Sequence, residues 1–272
     1  MSGFLEMMAA PIVIALILLA MHGYMGTHVV RRGVIFVDIA LAQVAAFGVA
    51  MSMWLGAELH STQTFFIGLF SAFVGAVMLS FTRSKDKRVP QEAYIGIVYV
   101  VFSAAMILVL SQVAHGSEEI KHLLVGAILW VTWPIVLKTF LLYGVICLLL
   151  LKWHKPFSRI SIDACKAQQE GLSLRLWDFL FYMVLGTVVT VSVQIAGVLM
   201  VFTLLVVPTV MSIRLFEKSS YQFYYILGAG TITVISGSSM SYLLDLPTGA
   251  SIVCAFGLFL TVQIIIEGIL RK

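Results

Sequence analysis

Apolar runs, interrupted at short intervals by small clusters of charge, dominate the chain. A helix needs about 20 apolar residues to cross a bilayer core. Runs of that order fall at roughly 7–28, 34–55, 64–82, 92–112, 134–151, 178–193, 196–213, 222–243 and 248–269. A further run, 123–133, is too short to cross alone. It reads as a re-entrant half-helix, or as an extension of the next span across Pro134. The stretch 178–213 has to hold two spans in little length. Either a very tight turn near Gln194–Gly197 joins them, or one does not cross fully. The pattern predicts an all-α, polytopic transmembrane helical bundle of about eight or nine spans, with 1–272 as a single transmembrane domain.

Charge adds an orientation. Of the 17 basic residues, 15 fall in alternate loops: Arg31 and Arg32; Arg83, Lys85, Lys87 and Arg88; Lys152, Lys155, Arg159, Lys166 and Arg175; Arg214 and Lys218; Arg271 and Lys272. Lys121 and Lys138 are the exceptions. Cytoplasmic loops collect Lys and Arg, so these loops are expected inside, the N-terminus outside and the C-terminus in the cytoplasm. The loops Glu58–Gln63, Ala114–Lys121 and Leu244–Thr248 then lie outside. One inner loop, Lys152 to Asp178, is much longer than the rest. Ser161 and Asp163 read as helix-start residues and Gly171 as a stop, so a short surface helix is expected over 163–171.

Composition then narrows the classes. With 61% hydrophobic and 11% charged residues and a mean hydropathy of +1.04, the chain cannot bury its apolar surface as a soluble fold would. A soluble enzyme, a DNA-binding domain, a disulfide scaffold and a disordered chain are excluded. The net charge of +4 is accounted for by the inner loops, so no nucleic-acid partner is expected. Three scattered cysteines build neither a disulfide framework nor a zinc cluster, and Cys147 and Cys254 read as core or lipid-facing fillers. The first run lacks a basic leader and an Ala-x-Ala site, and reads as a span rather than a cleaved signal.

Ionisable and amide groups within spans are the functional candidates, because hydrocarbon penalises them. Asp38 and Gln43 lie on the second span, about 140° apart on a helix. Asp38 either serves a path or pairs with Arg31 or Arg32 near the interface. Gln43, among Ala42, Ala45 and Ala46, either lines a path or makes an interhelical hydrogen bond. His22 and His28 are candidates on the first span. His60, His115 and His122 belong to the outer loops. Thr187, Thr190, Ser192 and Gln194 form a polar strip beside the expected tight turn, and Pro208–Thr209 marks a kink. Gly126, Gly144, Gly186, Gly197 and Gly228 are expected at close helix contacts. The chain has no nucleotide-binding fingerprint and no Gly-x-Ser-x-Gly or His-Glu-x-x-His, so it is not expected to be an enzyme.

Four stretches in order carry a family likeness: Val29–Gly48, Glu92–Val98, Gln194–Thr209 and Tyr242–Ser251. Together they resemble the integral membrane permease of metal-ion ATP-binding-cassette importers, the zinc, manganese and iron group. The resemblance implies a cell-membrane permease paired with a second permease subunit, expected as a homodimer. It also implies cytoplasmic ABC ATPase subunits that hydrolyse ATP and an extracytoplasmic solute-binding protein. The cargo would be a divalent metal, zinc or manganese, with no cofactor resident on this chain. Asp38, Gln43, Gln194, His22 and His28 would line the path, with Asp38 and Gln43 as metal ligands. The segment with Asp163, Lys166, Gln168, Gln169, Glu170 and Gly171 would be the coupling helix that docks on the ATPase.

The likeness has one departure. Members of that group often carry Asp-Ala-Leu-Ser-His in the second span. Aligned on Ala40–Leu41, Ile39 takes the acid position and Gln43 the histidine position, with Asp38 one residue early. A glutamine oxygen suits zinc less well than imidazole. A chelated metal or another small solute on the same scaffold, or a proton-driven carrier working through Asp38 without an ATPase, therefore stay open.

Overall fold

The computed structural model describes residues 2–58, 61–83, 89–113, 124 and 126–270. Ten α-helices occur among them, with no strand: α1 (Ser2–Arg32), α2 (Val37–Trp54), α3 (Thr62–Phe81), α4 (Gln91–Leu110), α5 (Trp133–Lys152), α6 (His154–Ile162), α7 (Ala164–Gln169), α8 (Leu174–Leu215), α9 (Ser219–Leu244) and α10 (Thr248–Leu270). A single 3₁₀ turn, Ile128–Trp130, precedes α5. Eight of the helices, all but α6 and α7, are long and apolar enough to cross a membrane.

Local chemistry sets many of the ends. Ser61 caps α3 by accepting the Thr64 N–H at 3.2 Å. Pro90 precedes α4, and Pro134 sits in the first turn of α5, where a proline costs no hydrogen bond. Gly33, at φ +65°, closes α1. Asp245, at φ 53°, closes α9. Because α5 begins at Trp133, the short run ahead of it does not extend that helix. What is described of the run from Gly126 onward is the 3₁₀ turn with irregular backbone on either side of it.

The described residues form two compact units, each interleaved in sequence. One draws on Met1–Val30, Val125–Val145 and Ile195–Lys272, the other on Arg31–Leu124 and Ile146–Gln194. Within the second, α2 packs against α3 and α4. Small residues permit the approach: a Cβ on Gly48 would lie 2.2 Å from Ser71 Oγ. Most of α2 is buried, whereas α4 buries only Ile95, Met106 and Leu110. Its other apolar residues, Ile97 and Leu108 among them, are exposed and suit lipid. Within the first unit, α1 lies close on the second half of α8, where a Cβ on Gly26 would meet the Leu205 carbonyl oxygen at 2.1 Å. Gly23 and Gly230 hold α1 to α9 in the same way, and Gly237 holds α9 to α10. Gly126 makes a close contact as expected, but a Cβ on Gly186 would sit at an ordinary 3.5 Å from Ala72, and Gly144 and Gly228 face open space. The close approaches of Gly26, Gly48 and Gly237 come from three-dimensional pairings that composition does not reveal.

In the stretch 178–213 the chain breaks inside the window where a very tight turn was expected. Helix α8 is 42 residues long and holds one non-helical residue, Gly197, at φ 75°, ψ 161°. That region of backbone space is essentially restricted to glycine. A straight 42-residue helix would be about 63 Å long, twice the hydrocarbon thickness. The break leaves two helices, 174–196 and 198–215, of ~35 and ~27 Å, each able to cross. The junction is thus a single residue. The other segment at this point is non-helical: Ala127, at φ −130° and ψ 39°, donates its N–H to the Ile195 carbonyl at 3.2 Å. Gly126, at φ 74°, lies so near that a Cβ would sit 2.2 Å from the Ala196 carbonyl carbon. Non-helical backbone is tolerated at membrane depth when it is packed in protein and its polar groups find partners there.

Replacing Gly197 by Ala is expected to cost about 1–3 kcal/mol through backbone strain. Gly126→Ala should be at least as damaging, because backbone atoms block the new methyl. Gly144→Ala, in open space, should leave the thermal unfolding midpoint in detergent unchanged; equal midpoints for all three would refute the packed break.

Candidate functional site

Buried polar groups on the spans come first. Asp38 lies in the first turn of α2 and is fully buried, and neither carboxylate oxygen has a hydrogen-bond partner. Its expected pairing with Arg31 or Arg32 does not form: Arg32 goes instead to Asp178. Gln43, further along α2, is also buried, with Oε1 unpartnered. On α1, His22 is fully buried; its Nδ1 meets the Leu18 carbonyl at 2.8 Å and its Nε2 has no partner. His28 packs edge-on against Tyr24, with ring centroids 5.0 Å apart. An unpartnered buried polar group costs about 1–3 kcal/mol, so three of them on two helices need a reason.

The remaining candidates are ordinary. Thr187, Thr190 and Ser192 donate to carbonyls one turn back, Met183, Gly186 and Val188, and form no ligand strip. Gln194 is half-buried beside the break. His60, His115 and His122 lie outside the described residues. No group of three or more His, Cys, Asp or Glu that could hold a metal exists among the described residues. Cys147 and Cys254 are exposed, as lipid-facing fillers would be. A cavity of about 280 Å³ between α3 and α8 is lined by Phe66, Leu69, Phe70, Ala72, Phe73, Met183 and Thr187. That lining is apolar and offers an ion nothing.

The second constellation was not foreseen from sequence. Arg32, the last residue of α1, donates from Nη1 to Asp178 Oδ1 at 2.8 Å and from Nε to Ser161 Oγ at 2.9 Å. Its side chain is 3% exposed and that of Asp178 1%. The other Asp178 oxygen takes Arg83, at the end of α3. The Arg32 guanidinium lies 4.1 Å from the Phe181 ring centroid and 5.8 Å from that of Phe157. Its Nη2 is left without a partner. Beside it, Gln91 donates to Thr82 Oγ1 and to the Tyr182 hydroxyl, each at 3.2 Å. Glu92 accepts the Ile35 N–H in the turn between α1 and α2. Asp178 was read as the end of a loop, but α8 begins at Leu174 and buries it one turn in.

The long loop after α5 holds two short helices rather than one. Pro156 sits in the first turn of α6, which explains why that stretch hides a helix. Ser161 does not start a helix; it lies inside α6 and also donates to the Phe157 carbonyl. Asp163 does cap α7, accepting the Lys166 N–H at 3.0 Å, and that bond holds its carboxyl below the usual range. Gly171, at φ +86°, follows the helix. Lys166, Gln168, Gln169, Glu170 and Gly171 are exposed, and Glu170 pairs with Arg159 on the surface. In the other unit, Arg214, Glu267, Gln263 and Tyr225 tie the ends of α8, α9 and α10 together.

Eight apolar helices, a packed helix break and uncompensated polar groups inside the spans define a multi-pass membrane protein of the transport class. The chain belongs to the ABC 3 transport family, whose model matches residues 4–267. It is 29% identical over 233 residues to the manganese transport system membrane protein MntC of Listeria monocytogenes, across 85% of this chain and 80% of that one. It is 25% identical to the manganese import system permease protein ScaB of Streptococcus parasanguinis, covering 92% and 87%. Its fold matches PsaBC from Streptococcus pneumoniae, solved in complex with Fab, at a TM-score of 0.79 and 20% identity, over 96% and 94% of the two chains.

Breaking a buried ion pair by removing one partner costs about 3–5 kcal/mol. Asp178→Ala, which strands Arg32, should show a loss of that order in SDS-driven unfolding. Arg159→Ala, at an exposed pair, should change stability by no more than about 1 kcal/mol.

Proposed function

We propose that this chain is the membrane subunit of an ABC importer that carries a divalent metal into the cytoplasm, manganese in the first place. The observation that carries the reading is Asp38, a carboxylate buried in a span with both oxygens unpartnered, on the same helix as the free Gln43 oxygen. Oxygen donors of this kind suit manganese better than zinc, which favours imidazole and thiolate. The manganese relatives support the same cargo. The metal is substrate, not a resident cofactor.

One chain offers too few ligands to enclose an ion, so the reading includes a second permease copy that doubles the set. Asp38 and Gln43 bind the passing cation, with His22, His28 and Gln194 along the path. A solute-binding protein delivers the metal from outside, and cytoplasmic ATPase subunits hydrolyse the ATP. The α7 segment docks on them through Asp163, Lys166, Gln168, Gln169, Glu170 and Gly171. The basic residues of the neighbouring loops support a cytoplasmic position for that surface.

The test is uptake into proteoliposomes holding this chain with its co-encoded ATPase and binding protein, against manganese, zinc, iron, cobalt and nickel. ATP-dependent accumulation should be greatest for manganese. Asp38→Ala with Gln43→Ala should lower it at least about tenfold at normal protein yield. If no metal accumulates while hydrolysis still responds to the binding protein, the cargo is a chelate or an organic solute. Accumulation without the ATPase would make the protein a secondary carrier.

A further inference from the structure

Arg32 joins two things that the chain separates by well over a hundred residues. On one side is α6, which runs through the single residue Asp163 into α7. From α6, Ser161 Oγ accepts Arg32 Nε and the Phe157 ring lies beside the guanidinium. On the other side is the turn after α1. Arg32 ends that helix, Gly33 turns the chain, Ile35 is pinned to Glu92, and Asp38 follows in the first turn of α2. A displacement of the α6–α7 pair therefore pulls on the base of the helix that carries Asp38.

The pairing also has a second arrangement ready. Asp178 divides its two oxygens between Arg32 and Arg83, while Arg32 keeps a buried Nη2 with nothing to bond. If Arg83 lets go, Arg32 can take both oxygens through its planar fork. Coupling between sites needs an element with two discrete states that both sites bias. We propose that Arg32, gripped by Ser161 and Asp178, is the positioning residue that transmits movement of the surface helices to the polar start of α2. The proposal rests on the importer reading, since it needs a partner that pushes on α7.

Lysine keeps the charge but loses the fork, and Ser161→Ala removes one hydroxyl without touching the ion pair, so both variants should fold. In the complete assembly in proteoliposomes, Arg32→Lys and Ser161→Ala should keep basal ATP hydrolysis. Stimulation of hydrolysis by the binding protein should fall at least about fivefold in both. Ser161→Thr, which retains the hydroxyl, should restore it. If stimulation survives in both variants, or if basal and stimulated rates fall together with the thermal midpoint, the network is only structural and the proposal is overturned. Stimulation does not depend on naming the cargo. A negative metal panel would therefore sink the metal reading and leave this measurement standing.

Discussion

Hydrocarbon offers a peptide group no water to bond, so a chain that crosses it must satisfy its own backbone. That constraint explains the regular parts of this protein and its one large irregularity together. The spans are helices because helices bond internally. Many of their hydroxyls follow the same rule: Thr187, Thr190, Ser192, Thr203, Thr209 and Thr233 each return to a carbonyl four residues back. Where α8 breaks at Gly197, the neighbouring non-helical segment supplies the Ala127 N–H to the Ile195 carbonyl. Two glycines make this possible, one by its own dihedral angles and the other by leaving room for backbone to meet backbone.

Charges obey a related economy. They gather at helix ends and are cross-linked there, Arg32 and Arg83 on Asp178 in one unit, Arg214 on Glu267 in the other. A buried pair of this sort adds little net stability, because desolvation offsets attraction, but it specifies which ends must meet. Against that background Asp38, Gln43 and His22 are conspicuous, the ionisable and amide groups among the unpartnered buried atoms within the spans, which also include the Ser103 and Ser238 hydroxyls. The importer function proposed above would give them a use, since groups that wait for a ligand are poorly satisfied without one.

The spans were legible because lipid imposes a length and a composition that show in any window of sequence. The α7 cap was legible too, since Asp163 acts on the Lys166 N–H three residues away and needs no distant partner. Asp38 and Gln43 could be singled out as costly residues in a span. The family likeness read from four stretches agrees with the family model. The helix α6, which holds Pro156 harmlessly in its first turn, was not expected from sequence. The partner of Asp38 was misjudged for a different reason. Arg31 and Arg32 are near it along the chain, but Asp178, far away in sequence, holds Arg32.

That difference in range marks the division. By itself the sequence determined that this is a helical membrane protein of a transport family, where most of its spans run, and which residues are too polar to be lipid filler. These depend on terms that act within about one helical turn or on the simple solubility of a segment. Only the tertiary structure decided that two helices meet at a single glycine, that Gly26 rather than Gly144 makes a close contact, and that Asp178 binds two arginines from different helix ends. Those depend on which surfaces are brought together, and pairing between distant segments leaves no periodic trace in the order of residues.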